Sequence, residues 1–293
     1  MKVLAIFGPT AVGKTGVATE VAKLLRKRGE DPIAVNCDSI QVYRGLEVLS
    51  GAASAAEQAQ LEHRLLSFVP IEEEFSAGRY AAMAHAEIDG LLEEGRRPIV
   101  VGGTGLYLRV ALSELDLRPP VPAGIRAEVE REIAERGSEA LHAELDPAIA
   151  ATVDPSDRKR VARWTELLRA GLEPPASSAP IWDAELRHPT LLAGLTLHRE
   201  ELDRRIESRV EQMGAAGAPE EARAAAQAGA SRTARAALGF EGFLSGDLEA
   251  VKTAHRRFAR RQLTWMRKMD RVRIIDRSGR GDDEVAAEIV SML

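Results

Sequence analysis

Short apolar runs alternate with amphipathic segments along most of the chain. The apolar runs lie at 2–7, 32–37, 98–105 and 190–197, with a further candidate at 271–276. Helical periodicity follows these runs at about 14–28, 77–94 and 106–113. Short buried strands that alternate with helices are typical of a parallel sheet covered on both faces. The pattern therefore predicts the α/β fold class, with a parallel sheet core flanked by helices.

The alternation stops after about Leu115. Proline-rich stretches at 116–123 and 173–180 bracket a region that has helical periodicity and no strand pattern. The strand candidate at 190–197 then restores the α/β pattern, and residues 199–268 are mostly helical. We predict a core interrupted by a helical insertion domain. Its parts are a first core segment at 1–117, the insertion at 118–188, and a second core segment at 189–293 that ends in a helical region.

The segment GPTAVGKT, Gly8 to Thr15, fits the pattern G-x-x-x-x-G-K-[ST] between a strand and a helix. Two glycines let the backbone point its N–H groups inward, where a helix N-terminus also favours phosphate oxygens. Lys14 adds a positive charge, and the Thr15 hydroxyl is suited to bind Mg²⁺. The core is thus predicted to be of the P-loop type and to bind a polyphosphate. The binding residues are Gly8, Pro9, Thr10, Ala11, Val12, Gly13, Lys14 and Thr15.

The third apolar run ends in Gly-Gly-Thr-Gly, without the acidic residue that usually holds Mg²⁺ and water in hydrolytic P-loop enzymes. The acid at a strand end near the loop is Asp38, which suits either a metal anchor or a general base. Thr104 places a hydroxyl where a phosphate or leaving group would lie. This arrangement favours group transfer over a hydrolytic motor, and it leaves a small-molecule kinase open.

The composition limits the class of protein and the compartment in which it is expected. The 293 residues are 45% hydrophobic and 29% charged, which is typical of a soluble globular protein. A single cysteine, Cys37, excludes an internal disulfide, and the six histidines lack metal-ligand spacing. The N-terminus enters a glycine loop rather than a signal cleavage site, and no apolar stretch approaches the roughly 20 residues of a membrane span. We expect a cytoplasmic protein with no membrane partner.

The net charge of −5 argues weakly against nucleic-acid binding, but the charge is unevenly distributed. Between 252 and 273 only Asp270 opposes a series of basic residues. This run is either a solvated helix face or a surface for phosphates. Its members are Lys252, Arg256, Arg257, Arg260, Arg261, Arg267, Lys268, Arg271 and Arg273.

Several of these segments resemble one family, the tRNA dimethylallyltransferases. GPTAVGKT (8–15), DSIQVYRGLEV (38–48) and GGTGLYL (102–108) resemble its core signatures. DPSDRKRVARWTELLRAG (154–171), LDRRIESRVEQM (202–213) and RRQLTWMRK (260–268) are similar to its later segments. The matches span nearly the whole chain in the expected order, so together they are far more specific than the phosphate loop alone.

The resemblance implies a reaction. The loop would hold the diphosphate of dimethylallyl diphosphate, and the five-carbon group would move to the exocyclic amine of the adenine 3′ of the anticodon in tRNA. Asp38 matches the family's base, and Lys14, Thr104 and Mg²⁺ would stabilise the leaving diphosphate. Arg205 matches the family's diphosphate-binding arginine, with Arg204 and Arg209 as near rivals.

The resemblance also implies contacts to the tRNA anticodon stem-loop, over which the insertion would close. Asp38, Ser39, Ile40 and Gln41 are expected to hold the extruded adenine. Further matches to the family's tRNA-contacting segments are Asp157, Arg158, Arg160, Arg261, Gln262, Trp265 and Arg267. Trp265 is suited to stack on a base, although packing inside the protein is an equally good explanation of a helical tryptophan.

Three segments depart from the family's pattern. LSGAAS (49–54) replaces a segment with lysine and proline, Gly239-Phe240-Glu241 puts an acid where a base is usual, and Trp164-Thr165-Glu166 replaces A-L-E. Two of them remove positive charge where tRNA should lie. The alternatives are a small-molecule P-loop kinase, an adenine-nucleotide isopentenyltransferase and a non-catalytic RNA-binding protein. We expect a monomer.

Overall fold

Six parallel strands make up the sheet that the computed structural model shows within the residues it describes, 1–115, 117–173 and 184–293. Their order across the sheet is β3-β2-β4-β1-β5-β6. The strands are β1 Val3–Phe7, β2 Pro32–Asn36, β3 His63–Arg64, β4 Arg97–Gly102, β5 Thr190–Thr196 and β6 Arg273–Asp276. The predicted parallel α/β core is confirmed. The two-residue strand β3 was not predicted, because a pair of residues carries no periodicity.

The helices flank this sheet or follow it. Those before the insertion are α1 Lys14–Lys27, α2 Glu47–Ser50, α3 Ala55–Gln60, α4 Ala77–Glu93 and α5 Gly105–Leu112. Within the insertion they are α6 Ala123–Arg136, α7 Ser138–Ala143, α8 Pro147–Ala150 and α9 Arg158–Arg169. After it come α10 Arg199–Ala215, α11 Ala218–Gln227, α12 Arg232–Arg235, α13 Phe240–Ser245, α14 Leu248–Lys268 and α15 Asp282–Ser291.

The sheet packs around its fully buried central strand, β1. Leu4 and Ile6 of that strand lie in one apolar cluster with residues of α1, α10 and α15. A strand that is buried on both faces reads as a continuous apolar run, which is why VLAIF was recognisable in the sequence. Helix α15 was not predicted.

The chain divides into two compact units, Met1–Glu114 with Ile181–Leu293, and Leu115–Pro180. The second boundary thus falls earlier than the predicted residue 188. The reason is backbone pairing, since Ser113 and Leu186 form an antiparallel bridge and the Arg187 N–H donates to the Leu112 carbonyl at 2.8 Å. These contacts place the described residues from 184 onward in the larger unit. Asp116 and residues 174–180 of the proline-rich stretches lie outside the described residues.

The helical unit has a core of its own, made of Val129, Ile133, Leu141, Leu145, Val153 and Val161. The departure Trp164-Thr165-Glu166 belongs to this unit's packing. The Trp164 indole N–H donates to the Thr152 hydroxyl at 3.1 Å, and the buried Thr165 hydroxyl donates to the Val161 carbonyl at 3.0 Å. The substitution of A-L-E therefore changes internal contacts of the unit.

The carboxyl ends of β1, β4 and β2 meet at one edge of the sheet. Phe7 pairs with Gly102, and Asn36 pairs with Val101, so the three strands end in register. The segments that follow them, 8–15, 103–105 and 37–41, are consequently neighbours. Ligands of open parallel sheets bind at this edge.

Candidate active site

The phosphate loop leads directly into α1. Gly13 has a φ of 90°, a left-handed conformation that glycine adopts without strain, and α1 begins at the next residue. The Lys14 ammonium donates to the carbonyls of Gly8 at 3.1 Å and Pro9 at 2.9 Å. The lysine thus lies over its own loop, and a helix N-terminus faces the same space, as anion binding requires.

Asp38 lies at the end of β2, beside the loop that carries Thr104. Its Oδ1 accepts the backbone N–H of Ile40 at 3.0 Å, which orients the carboxylate. The Ser39 N–H donates to the Thr104 hydroxyl at 3.3 Å, so the loops after β2 and β4 are joined. Asn36 supports the turn from within, because its side-chain oxygen accepts the Asp38 N–H at 3.2 Å.

Two arginines of α10 lie one turn apart on the same face and have different partners. Arg205 donates to Glu201 of its own helix at 2.8 Å. Arg209 donates to the Gly51 carbonyl at 3.3 Å. Its guanidinium also lies close enough to Lys14 and Asp38 to interact electrostatically with both side chains. The arginine close to Lys14 of the phosphate loop is therefore Arg209, one turn after the predicted Arg205. Arg204, the other rival, is exposed.

The electrostatics of this cluster favour an anion. Desolvation of the ammonium group and the nearby Arg209 charge lower the pKa of Lys14 to about 8, although Asp38 opposes the shift. Desolvation likewise lowers the pKa of Arg209. For both groups desolvation outweighs the opposing charge of Asp38, so nearby carboxylates do not fully balance the two cations. A bound polyphosphate would supply the missing negative charge.

Helix α14 contributes side chains to this edge of the sheet. Gln262 is 4% exposed, donates to the Gly103 carbonyl at 2.7 Å and accepts the Thr10 N–H at 2.8 Å. Both ends of the amide thus bind protein backbone, whereas the sequence predicted a tRNA contact for this residue. Trp265 is half-buried with its indole against Gly105, so packing accounts for at least part of its role.

Other predicted tRNA-contacting residues remain accessible. Arg261 and Arg267 are exposed on α14, and the Arg261 guanidinium lies 5.5 Å from the Phe258 ring centroid. Gln41 is half-buried and donates to the Gly51 carbonyl at 3.1 Å.

In the helical unit, Asp157 caps α9 by accepting the Arg160 N–H at 3.1 Å. Arg158 begins that helix and is exposed, as are most residues of its first turn. Arg160 also lies 3.8 Å from the Asp157 carboxylate. The predicted Asp157 thus has a structural contact of its own, and the two arginines are presented at the surface of the unit.

Arg277 is a residue that sequence reasoning missed. It is 5% exposed, donates to the carbonyls of Val12 at 2.5 Å and Gly13 at 3.3 Å, and pairs with Asp282 at 2.6 Å. Arg277 therefore fixes the backbone of the phosphate loop through these carbonyl groups. Nothing in the sequence pointed to it, because it lies after the last strand and outside every motif.

Two of the segments that depart from the family's pattern form contacts within the protein. Glu241 pairs with Arg235 at 2.7 Å. The segment with the missing lysine and proline forms α2 and the turn after it, where the Glu221 carboxylate accepts the N–H groups of Val48 at 2.9 Å and Leu49 at 2.8 Å. The structure thus gives these residues partners within the protein.

Two properties of the described residues bear on partners and cofactors. None of their helices is both long enough and apolar enough to cross a membrane. They also contain no group of three His, Cys, Asp or Glu side chains that could hold a metal ion.

Comparison with known proteins gives a consistent result. Residues 41–269 match the family described as IPP transferase. The chain is 41% identical to the tRNA dimethylallyltransferase of Anaeromyxobacter sp. (strain Fw109-5), over 91% of this chain and 92% of that protein. It is 38% identical to the tRNA dimethylallyltransferase of Thermobifida fusca (strain YX), over 92% of this chain and 88% of that protein.

Solved structures agree in fold. The full-length tRNA isopentenylpyrophosphate transferase of Bacillus halodurans superposes with a TM-score of 0.72 at 30% identity, covering 99% of this chain and 95% of that one. A eukaryotic dimethylallyltransferase acting on tRNA superposes with a TM-score of 0.73 at 24% identity, covering 94% of this chain and 73% of that one. The second likeness supports the fold alone.

Proposed function

The chain belongs to the IPP transferase family, and from that premise we propose that it modifies tRNA. The proposed reaction transfers the dimethylallyl group of dimethylallyl diphosphate to the exocyclic amine of the adenine 3′ of the anticodon, releasing diphosphate. One observation supports this most directly. Two buried cations at the phosphate loop, Lys14 and Arg209, lie close enough to the Asp38 carboxylate to interact with its charge.

The carboxylate has a defined task in this reaction. The lone pair of an adenine amine is delocalised into the ring, so the amine attacks carbon poorly unless a base takes its proton. As the new N–C bond forms, Asp38 would accept that proton, which typically contributes about 10²–10⁴-fold in rate. Its hydrogen bond from Ile40 fixes the direction of the acceptor oxygen.

The cations act on the leaving group. When the carbon–oxygen bond of the donor breaks, its electron pair remains on the diphosphate, which gains charge. We propose that Lys14, Arg209 and the Thr104 hydroxyl stabilise that charge, together with backbone N–H groups of the loop. We therefore propose Arg209 for the role first expected of Arg205.

Magnesium is a proposed cofactor. Proteins hold Mg²⁺ through one or two side chains plus substrate phosphates. The Thr15 hydroxyl follows Lys14 in the phosphate loop and is a hard oxygen ligand of the kind that suits such an ion. When bound, Mg²⁺ would offset charge on the diphosphate. Thr15 is the residue we propose to hold it.

Ser39, Ile40 and Gln41 follow the carboxylate in sequence and are half-buried around it, as is expected of a pocket for one extruded base. Arg261 and Arg267, and Arg158 and Arg160 of the helical unit, are proposed to contact the phosphates of the anticodon stem-loop. The protein would act on tRNA as a monomer.

The test offers the protein an unmodified anticodon stem-loop with an adenine 3′ of the anticodon, dimethylallyl diphosphate and Mg²⁺, and reads products by mass spectrometry. Parallel reactions replace the stem-loop with AMP or the donor with ATP. We expect a five-carbon mass gain on the stem-loop and none on AMP. A gain on AMP alone would show a nucleotide-modifying enzyme, and ATP consumption without any gain would show a kinase.

A further inference from the structure

The buried side of α14 places one amide between two loops of the donor site. Gln262 Nε2 donates to the Gly103 carbonyl at 2.7 Å, and Gln262 Oε1 accepts the Thr10 N–H at 2.8 Å. Because a carbonyl only accepts and an N–H only donates, a single orientation of the amide satisfies both partners. The two backbone groups are far apart in sequence and share this amide as a hydrogen-bonding partner.

Each partner belongs to a loop with a role in the proposed chemistry. Thr10 lies in the phosphate loop, and Gly103 immediately precedes Thr104. The fit is close, since a Cβ built on Gly103 would overlap Gln262 Nε2 and lie 3.4 Å from Lys14 Nζ. The amide therefore lies next to the lysine that receives the diphosphate. A side chain without hydrogen-bonding groups would leave a largely enclosed N–H and C=O unpaired.

Helix α14 has a buried side and an exposed side. Gln262 and Met266 are buried, whereas Arg260, Arg261 and Arg267 are exposed. An RNA bound to the arginines would meet the outer side, and the Gln262 amide would be out of its reach.

We propose that Gln262 is a positioning residue for the donor diphosphate. Its amide holds the phosphate loop and the Thr104 loop at a fixed separation. Lys14, the loop N–H groups and the Thr104 hydroxyl can then bind the same diphosphate. The inference rests on the proposed function for the identity of that ligand. It assigns the glutamine of the RRQLTWMRK segment to the donor site and not to the RNA.

The experiment measures two affinities separately. Calorimetric titration with inorganic diphosphate and Mg²⁺ reports the donor site without RNA, and a stem-loop binding assay reports the acceptor. We expect Gln262→Met to weaken diphosphate binding by roughly tenfold or more and to raise KM for dimethylallyl diphosphate. Stem-loop affinity should stay within about twofold of wild type, because the exposed face is unaltered. Gln227→Met, the same substitution at an exposed position of α11 outside the site residues, is the control and should leave both affinities unchanged.

A second variant separates hydrogen bonding from packing. Gln262→Glu keeps the acceptor for Thr10, but an ionised carboxylate cannot donate to the Gly103 carbonyl. Once protonated it can, so its diphosphate affinity relative to wild type should recover as pH falls from about 8 to about 6. Gln262→Met should show no such recovery. If only side-chain volume mattered, the two variants would share one pH dependence.

The outcomes are decisive in both directions. Unchanged diphosphate affinity in a folded Gln262→Met protein would overturn the proposal, as would a loss confined to the stem-loop. If Gln262→Met does not fold, the pH response of Gln262→Glu decides, and a flat response counts against the proposal. Should the wild type bind diphosphate in a Gln262-dependent manner yet modify no RNA, the proposed function fails and the positioning role stands.

Discussion

Arg205 and Arg209 show how the site is decided at the scale of single residues. They lie on the same face of α10, both half-buried, and their sequence environments are alike. Arg205 finds Glu201 one turn earlier, whereas Arg209 finds the Gly51 carbonyl and the charges of Lys14 and Asp38. A leaving diphosphate is therefore expected to depend on the second arginine.

The arginine assignment predicts an asymmetric pair of variants. Arg209→Met should weaken inorganic diphosphate binding and raise KM for dimethylallyl diphosphate by roughly tenfold to a hundredfold, because a charge-assisted hydrogen bond is lost. Arg205→Met removes the same type of side chain one turn away and should change either quantity by less than about threefold. Steady-state kinetics and calorimetry measure both. Equal losses in the two variants would contradict the assignment.

The lowered pKa of Lys14 predicts that the protein takes up a proton when a ligand binds. This pKa is lowered to about 8 by desolvation and Arg209, from 10.5 in an unfolded chain. Since the unfolded chain retains this proton between those values, the Lys14 contribution to the free energy of unfolding increases as pH rises from about 8 to 10.5. A bound diphosphate favours the charged form and raises the pKa again, so binding at about pH 8–9 should take up protons.

Calorimetry in buffers of different ionisation enthalpy measures this uptake. Lys14→Arg is the matched control, because arginine stays charged across this range and its variant should lack the Lys14 part of the uptake. Protonation of the diphosphate itself is common to both proteins and cancels in the comparison. Identical uptake in the two would exclude Lys14 as the titrating group.

At the scale of elements, helix α14 has one face packed against the core and another that carries exposed basic residues. Its buried residues, Val251, His255, Ala259, Gln262 and Met266, recur at helical spacing and face the core. The basic residues divide into two kinds. Lys252 and Arg256 pair with Glu211 and Glu207 of α10 at 2.9 Å, whereas Arg257, Arg260, Arg261 and Arg267 are exposed and form no ion pair among the described residues. The unpaired set is the part of the basic run suited to phosphates.

Replacing two of the unpaired arginines tests that division. Arg257→Gln with Arg261→Gln should weaken stem-loop binding at all sequences and reduce the salt slope by about one per charge removed. The matched control, Lys252→Gln with Arg256→Gln, removes the same charge from the paired positions and should leave the slope nearly unchanged. Titrations at several salt concentrations provide both slopes. A control that lost as much slope would show that net charge alone matters.

At the scale of the whole molecule, the chain folds into a sheet-centred unit and a helical unit with a separate core. Ser113 bridges Leu186, so two described residues that flank the helical unit in sequence lie side by side in the larger unit. Both residues of that bridge and all residues of the diphosphate cluster belong to the larger unit. Donor binding is therefore expected to survive removal of the helical unit.

Excision of the helical unit tests this separation. Replacing residues 117–183 with a short Gly-Ser linker should leave a folded protein, because the bridge at residue 113 holds the joined ends. We expect inorganic diphosphate binding within about threefold of the full chain, since the units fold as compact bodies, and no detectable transfer to the stem-loop. Circular dichroism and calorimetry report the first two properties. A folded protein that still modified the stem-loop would remove the insertion from RNA recognition.

The sequence by itself determined the parallel α/β core, the phosphate loop, and the strand-end positions of Asp38 and Thr104. These follow from local pattern, because buried strands and glycine turns are encoded by neighbouring residues and parallel strands bring their carboxyl ends to one edge. Only the tertiary structure decided that Arg209 rather than Arg205 lies at the loop, and that Gln262 faces inward. It also revealed Arg277 behind the loop. Periodicity specifies which face of a helix a residue occupies, whereas its partner depends on which distant backbone or charge packs against that face.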